Sequence, residues 1–122
     1  MRVAVFLLML MPAVCSAFEI SIDVAPGIMN IQSLGQQVTI HTSVDFAEVD
    51  VASVFLNSVP VSSWKEDDRG YFVAKFLMED VKSLPLIIDD YNTLKLVGMT
   101  LDDEEFWGEQ EILVINVIPS GQ

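Results

Sequence analysis

The chain has 122 residues, a length that fits one domain, and its formal net charge is −12. Because nucleic-acid affinity depends on clustered Lys and Arg, this acidic excess argues against a nucleic-acid partner. It argues on the same ground against an anionic membrane surface. All 18 acidic residues and five of the six basic ones follow residue 17, so a chain without its first 17 residues would carry −13.

The first 17 residues are typical of a secretory signal peptide. Arg2 supplies a positive charge, residues 3–11 form an unbroken apolar run, and Ala17 is a small residue at the expected cleavage point. The run is too short to cross a bilayer as a helix, which needs about 20 apolar residues. We therefore predict cleavage after Ala17 and export to the periplasm or the extracellular space, with no membrane contact afterwards. The alternative is a lipoprotein leader acylated on Cys15, although Val14 before this cysteine fits that pattern poorly.

Cys15 is the only cysteine, so cleavage after Ala17 would leave a mature chain without thiols. Disulfides, thiolate metal sites and cysteine nucleophiles would then be excluded together. Exported bacterial domains commonly manage without disulfides. The remaining length, about 105 residues, is enough to bury a core. We predict a single domain over residues 18–122, without an internal repeat or linker.

The mature chain predicts a series of short strands. Polar and apolar residues alternate over residues 18–24, and Pro26 and Gly27 end that strand. Residues 78–84 are the only helical candidate, and Pro85 ends them. The further predicted strands are residues 28–31, 36–43, 51–56, 59–65, 71–76, 94–96 and 111–118.

Seven or eight strands with almost no helix predict an all-β, immunoglobulin-like antiparallel β-sandwich with one short helical turn. The last predicted strand, residues 111–118, is apolar on both faces. We therefore expect it to be central or covered on both sides, within a monomer.

The order of short motifs resembles a family of secreted bacterial β-sandwich modules. Those modules open with "IDIKPGS…NxINxKSKG", continue with "DFD…VDxSSVxF" and "DxDGDxDLVxxF", and end with "LxGxTxDGxxFxGxxxIxV". The counterparts here are residues 22–27 (IDVAPG), 30–35 (NIQSLG), 45–46 (DF), 49–55 (VDVASVF), 68–76 (DRGYFVAKF) and 96–108 (LVGMTLDDEEFWG). The resemblance implies the sandwich fold and carries no established activity. The acidic loop is shorter and less regular here than in the family.

Three clustered acids, Glu66, Asp67 and Asp68, stand where the resembling modules have their aspartate-rich run. Calcium takes six to eight oxygen ligands, which carboxylates and carbonyls of a loop supply. These residues are therefore candidate calcium ligands. Arg69 and the irregular spacing favour the other interpretation, a solvated charged turn without any cofactor.

Four aromatic residues are candidates for stacking on a sugar ring if they share an exposed face. The alternative is that they close the ends of the core. The four are Trp64, Tyr71, Phe106 and Trp107.

Catalysis receives less support from the sequence. His41 is the only histidine, and no G-x-S-x-G turn accompanies the serines, so we interpret His41 as a scaffold residue. Acids cluster at residues 66–68, 89–90 and 102–105, which indicates solvated turns rather than the facing carboxylate pair of a hydrolase.

These observations predict an exported, non-enzymatic module with a structural or adhesive role in the bacterial envelope or the secreted fraction. The alternative is a module that binds a polysaccharide or an envelope protein, with calcium as a possible stabiliser. A hydrolase with paired carboxylates ranks third.

Overall fold

The computed structural model describes residues 17–118, and most of them lie in ten strands. A 3₁₀ turn, Phe46–Glu48, follows the fourth strand, and the helix α1 spans Met78–Lys82. The strands are β1 Ala17–Glu19, β2 Ile22–Ala25, β3 Ile28–Asn30, β4 Gln37–Asp45, β5 Val49–Leu56, β6 Val59–Pro60, β7 Ser63–Glu66, β8 Tyr71–Leu77, β9 Asp90–Thr100 and β10 Glu105–Ile115.

The strands form two sheets that pack as an all-β sandwich, as the sequence predicts. Sheet A has the order β1-β10-β9-β5-β6, and β3 pairs with the other end of β10. Sheet B has the order β2-β4-β8-β7. Most pairs are antiparallel, whereas β1 and β3 run parallel to β10.

The single strand predicted over residues 18–24 is two strands in different sheets, which corrects the prediction. β1 pairs with β10 in sheet A, and β2 pairs with β4 in sheet B. The chain crosses between the sheets at Ile20 and Ser21, where the backbone N–H of Ile20 still donates to the Trp107 carbonyl at 2.8 Å. The crossing passes directly over Gly108, because a Cβ there would lie 2.8 Å from the Ile20 carbonyl oxygen.

The predicted strand 59–65 also divides between the sheets. β6 pairs with β5 in sheet A, whereas β7 pairs with β8 in sheet B. Alternation of polar and apolar residues cannot reveal such a change of sheet, because both halves keep the same period.

The C-terminal strand is central, as predicted, but it spans Glu105–Ile115 rather than residues 111–118. It pairs with β9 along nearly its whole length and with β1 and β3 on its other side. Ile112 and Val114 on its inner face are fully buried. The strand therefore completes the core of the sandwich.

One apolar core fills the space between the sheets. The core's largest fully buried side chains are Phe72, Phe76, Phe106, Met29, Ile40, Leu56, Leu94, Leu96 and Ile112.

Within residues 17–118, no helix has the length and hydropathy that crossing a bilayer requires. The predicted leader falls almost entirely outside the described residues, as does the acylation candidate Cys15.

Candidate functional site

A bulge in sheet B shapes one corner of its outer face. The register between β4 and β8 shifts between His41 and Asp45. At the bulge, the buried Thr42 hydroxyl supplies partners to two backbone groups. It donates a hydrogen bond to the Phe72 carbonyl at 2.6 Å and accepts one from the Val44 N–H at 3.3 Å. The end of β4 therefore bends beside the turn that joins β7 to β8.

Asp67 organises that turn. Its Oδ1 accepts hydrogen bonds from the backbone N–H of Arg69 at 2.8 Å and of Tyr71 at 2.9 Å. Gly70, at φ +91°, supplies the left-handed backbone that closes the turn, and its carbonyl accepts from the Phe46 N–H at 2.9 Å. The turn is thereby fastened to the neighbouring 3₁₀ segment.

The same bonds lower the pKa of Asp67 below its ordinary value of 3.8. The largest cause is the hydrogen bond from the Tyr71 N–H, which favours the charged carboxylate. The Arg69 N–H and the nearby charges of His41 and Arg69 act in the same direction, while partial desolvation opposes them.

The turn and the bulge enclose an open cleft of about 540 Å³ on the outer face of sheet B. Asp23 and His41 are cross-strand partners on β2 and β4, so their side chains stand next to each other on this face. We call this site the His41 cleft. It is lined by Ser21, Ile22, Asp23, His41, Thr42, Ser43, Asp67, Asp68, Arg69 and Tyr71.

The cleft combines an aromatic residue with many hydrogen-bonding groups. Tyr71 is half-buried and presents both a ring and a phenol. Serine hydroxyls, carboxylates and a guanidinium line the rest. Such a mixture of donors and acceptors suits a ligand rich in hydroxyl groups.

The three candidate calcium ligands have different surroundings. Asp67 and Asp68 line the cleft, whereas Glu66 ends β7 opposite Phe72, a core residue. One Asp67 oxygen already accepts two backbone N–H groups. Across residues 17–118, no group of three or more His, Cys, Asp or Glu side chains is placed to hold a metal ion. Calcium binding stays a prediction without a formed ligand cluster to support it.

The four candidate aromatic residues do not share a face. Tyr71 lines the cleft, Trp64 lies on the edge strand β7, and Trp107 lies on the outer face of sheet A. Phe106 is fully buried in the core, so it has no face to offer a sugar ring, which corrects its candidacy. Its ring covers Gly98, where a Cβ would lie 2.5 Å from the Phe106 Cζ.

Sequence reasoning missed the residues that complete the cleft, chiefly Asp23 and His41. Both stand at polar positions of alternating strands, which is the signal that the sequence offers. Their proximity to Asp67 depends on the pairing of β2 with β4 and on the bulge, neither of which one sequence reveals.

Comparison with protein-family models, with curated proteins and with solved structures finds no match for this chain.

Proposed function

We propose that this protein is an exported, non-enzymatic β-sandwich module with an adhesive role, which holds a saccharide of the bacterial envelope in the His41 cleft. The observation that carries the proposal is the cleft, where Tyr71 stands among hydroxyl, carboxylate and guanidinium groups on the outer face of sheet B. Export is supported by the leader-like residues 1–17.

We also propose that the sandwich is immunoglobulin-like, and the order of its strands supports this. Sheet B reads β2-β4-β8-β7, and the antiparallel part of sheet A reads β10-β9-β5-β6. Lettering these strands in chain order gives A-B-E-D in one sheet and G-F-C-C′ in the other, the order of that class of sandwich. Adhesive and binding modules are built on this architecture, although the fold alone does not assign a function.

The cleft's chemistry favours binding over catalysis. A serine nucleophile needs a histidine within hydrogen-bond reach and an acid that orients this histidine. Within residues 17–118, no hydrogen bond joins the His41 side chain to Ser21 or Ser43, and the Ser43 hydroxyl accepts one from the backbone N–H of Ser21 at 2.9 Å. One Asp67 oxygen holds its own turn, and the same bonds lower the pKa of Asp67, so this carboxyl is ill-suited to be the proton-donating acid of a hydrolytic pair.

The test is titration of the purified protein with a panel of neutral and acidic oligosaccharides by calorimetry. Tyr71→Ala should abolish binding, because it removes the ring and the phenol but keeps the backbone N–H that Asp67 uses. Trp64→Ala is the matched control, since this exposed aromatic residue lies outside the cleft. Equal loss with both variants, or binding unaffected by Tyr71→Ala, would contradict the assignment.

The same samples distinguish the hydrolase alternative. Chromatography of each oligosaccharide after prolonged incubation should show it intact. Cleavage that disappears in Asp23→Asn would replace the adhesive function with a carboxylate-dependent hydrolase.

A further inference from the structure

A row of apolar side chains crosses the outer face of sheet A, where a solvated sheet face normally carries polar residues. Cross-strand register aligns Trp107 on β10 with Val97 on β9, Val97 with Phe55 on β5, and Phe55 with Pro60 on β6. Direct partners share a face, so these four side chains form one continuous row. We call this row the apolar band.

The apolar band is accessible. Phe55 is 40% exposed, Pro60 is exposed, and Trp107 and Val97 are half-buried. The apolar band spans four strands, or about 14 Å at the usual strand spacing. That width matches about four residues of an extended chain.

The rim of the apolar band is acidic. Neighbouring rows on the same face contain one basic side chain, Lys95, whose Nζ lies 5.2 Å from the centre of the Trp107 ring. That contact places a cation against the indole, the interaction that a partner's Lys or Arg would also make. The acidic rim residues are Glu19, Asp50, Glu105 and Glu109.

We propose that the apolar band docks an extended, basic segment of a partner protein whose apolar side chains cover Phe55 and Trp107. Charge complementarity selects this occupant, because Lys and Arg flanking the apolar anchors would face the acidic rim. A second copy of this chain would bring its own acidic surface, and an anionic membrane would meet the same repulsion. The surface lies in the sheet opposite the His41 cleft and does not depend on its ligand.

The test uses fluorescence of Trp107 in a Trp64→Phe background, where it is the only tryptophan. The probe is a capped peptide with four leucines between two pairs of lysines. Two control peptides replace the lysines by glutamates or the leucines by serines. We expect the lysine–leucine peptide to shift the emission saturably, and high salt to weaken its binding.

Two variants locate the binding surface. Phe55→Ser should weaken peptide binding by about tenfold or more, as loss of a central anchor does. Leu34→Ser is the matched control, because Leu34 is 92% exposed on the 31–36 loop before β4 in sheet B, and it should bind like the parent. Melting curves of both variants establish that they are folded.

Three outcomes would overturn the proposal. These are equal binding of the glutamate–leucine peptide, binding unaffected by Phe55→Ser, and sedimentation as a dimer that Phe55→Ser dissociates. The last outcome would assign the apolar band to a second copy of this chain.

Discussion

The side-chain oxygen Oε1 of Gln110 accepts a 2.9 Å hydrogen bond from the backbone N–H of Val24. Gln110 belongs to β10 of sheet A, and Val24 belongs to β2 of sheet B, so this bond joins the two sheets. It lies between β1 and β3, where the chain leaves the side of β10. A side chain thereby satisfies a part-buried donor on β2, the edge strand of sheet B.

We expect Gln110→Ala to destabilise the protein by about 1–3 kcal/mol, because the Val24 N–H then loses its partner in a part-buried position. Urea unfolding measures this change in the free energy of unfolding. Glu111→Ala is the matched control, since Glu111 is exposed on the same strand, and it should change stability by less than about 0.5 kcal/mol. Equal effects would show that the link between the sheets adds no stability.

Because the chain crosses between the sheets at Ile20, close to Gly108, we expect substitution of Gly108 to lower the free energy of unfolding markedly. A Cβ at residue 108 would lie 2.8 Å from the Ile20 carbonyl oxygen, which is backbone and cannot rotate away. We expect Gly108→Ala to cost about 1–3 kcal/mol or more in thermal or urea unfolding. Gly27→Ala is the matched control, because the nearest atom to its Cβ is 4.0 Å away. A mild effect at residue 108 would contradict the close approach.

The fold was largely predictable because core residues alternate along most strands. Val38 and Ile40 on β4, and Phe72, Ala74 and Phe76 on β8, are all buried. What the alternation could not show is the change of sheet at Ile20–Ser21 and at residues 61–62, because strands of either sheet have the same two-residue period.

The sequence also did not reveal where polar side chains make hydrogen bonds with backbone groups at irregularities of the sheets. Ser53 Oγ donates to the Asp50 carbonyl at 2.6 Å and accepts from the Met99 N–H at 2.8 Å, which bridges an irregularity between β5 and β9. Serine is common in turns as well, so its presence alone indicates no bulge. The His41 cleft was missed for the same reason, because it depends on the bulge that Thr42 stabilises.

The calcium hypothesis gives a direct experiment. Since one Asp67 oxygen is committed to the turn and no acidic group within residues 17–118 is placed as a metal-binding cluster, we expect millimolar calcium to leave the melting temperature unchanged, with chelator as the reference. Binding to the native state would raise it by mass action. A rise that Asp68→Asn removes would establish a cation site in this loop after all.

The central position of β10 predicts that the chain needs its last strand. Deletion from Ile112 onward removes two fully buried side chains and the partner of β3, so we expect an unfolded chain by circular dichroism. Ile112→Ala alone should cost about 2–5 kcal/mol. Val117→Ser, at a residue that is 54% exposed, is the control and should change stability little. A truncated chain that stays folded and monomeric would make the segment from Ile112 onward an interaction arm.

The lowered pKa of Asp67 predicts how stability depends on pH. The folded carboxyl keeps its charge to a lower pH than the unfolded one, so the unfolded state binds more protons between the two pKa values. The resulting stabilisation is fully present above pH 3.8 and is lost as the pH falls through the folded pKa. Asp67→Asn keeps an acceptor oxygen for the Arg69 and Tyr71 N–H groups but removes the charge.

We therefore expect the parent protein to be more stable than Asp67→Asn at pH 6, with a difference that shrinks as the pH falls below 3.8. Urea unfolding at a series of pH values measures it. Asp68→Asn is the matched control, because the Arg69 and Tyr71 N–H groups bond to Asp67, and it should keep the parent's pH dependence. A difference between parent and Asp67→Asn that stays constant with pH would mean that these hydrogen bonds do not favour the charged carboxylate.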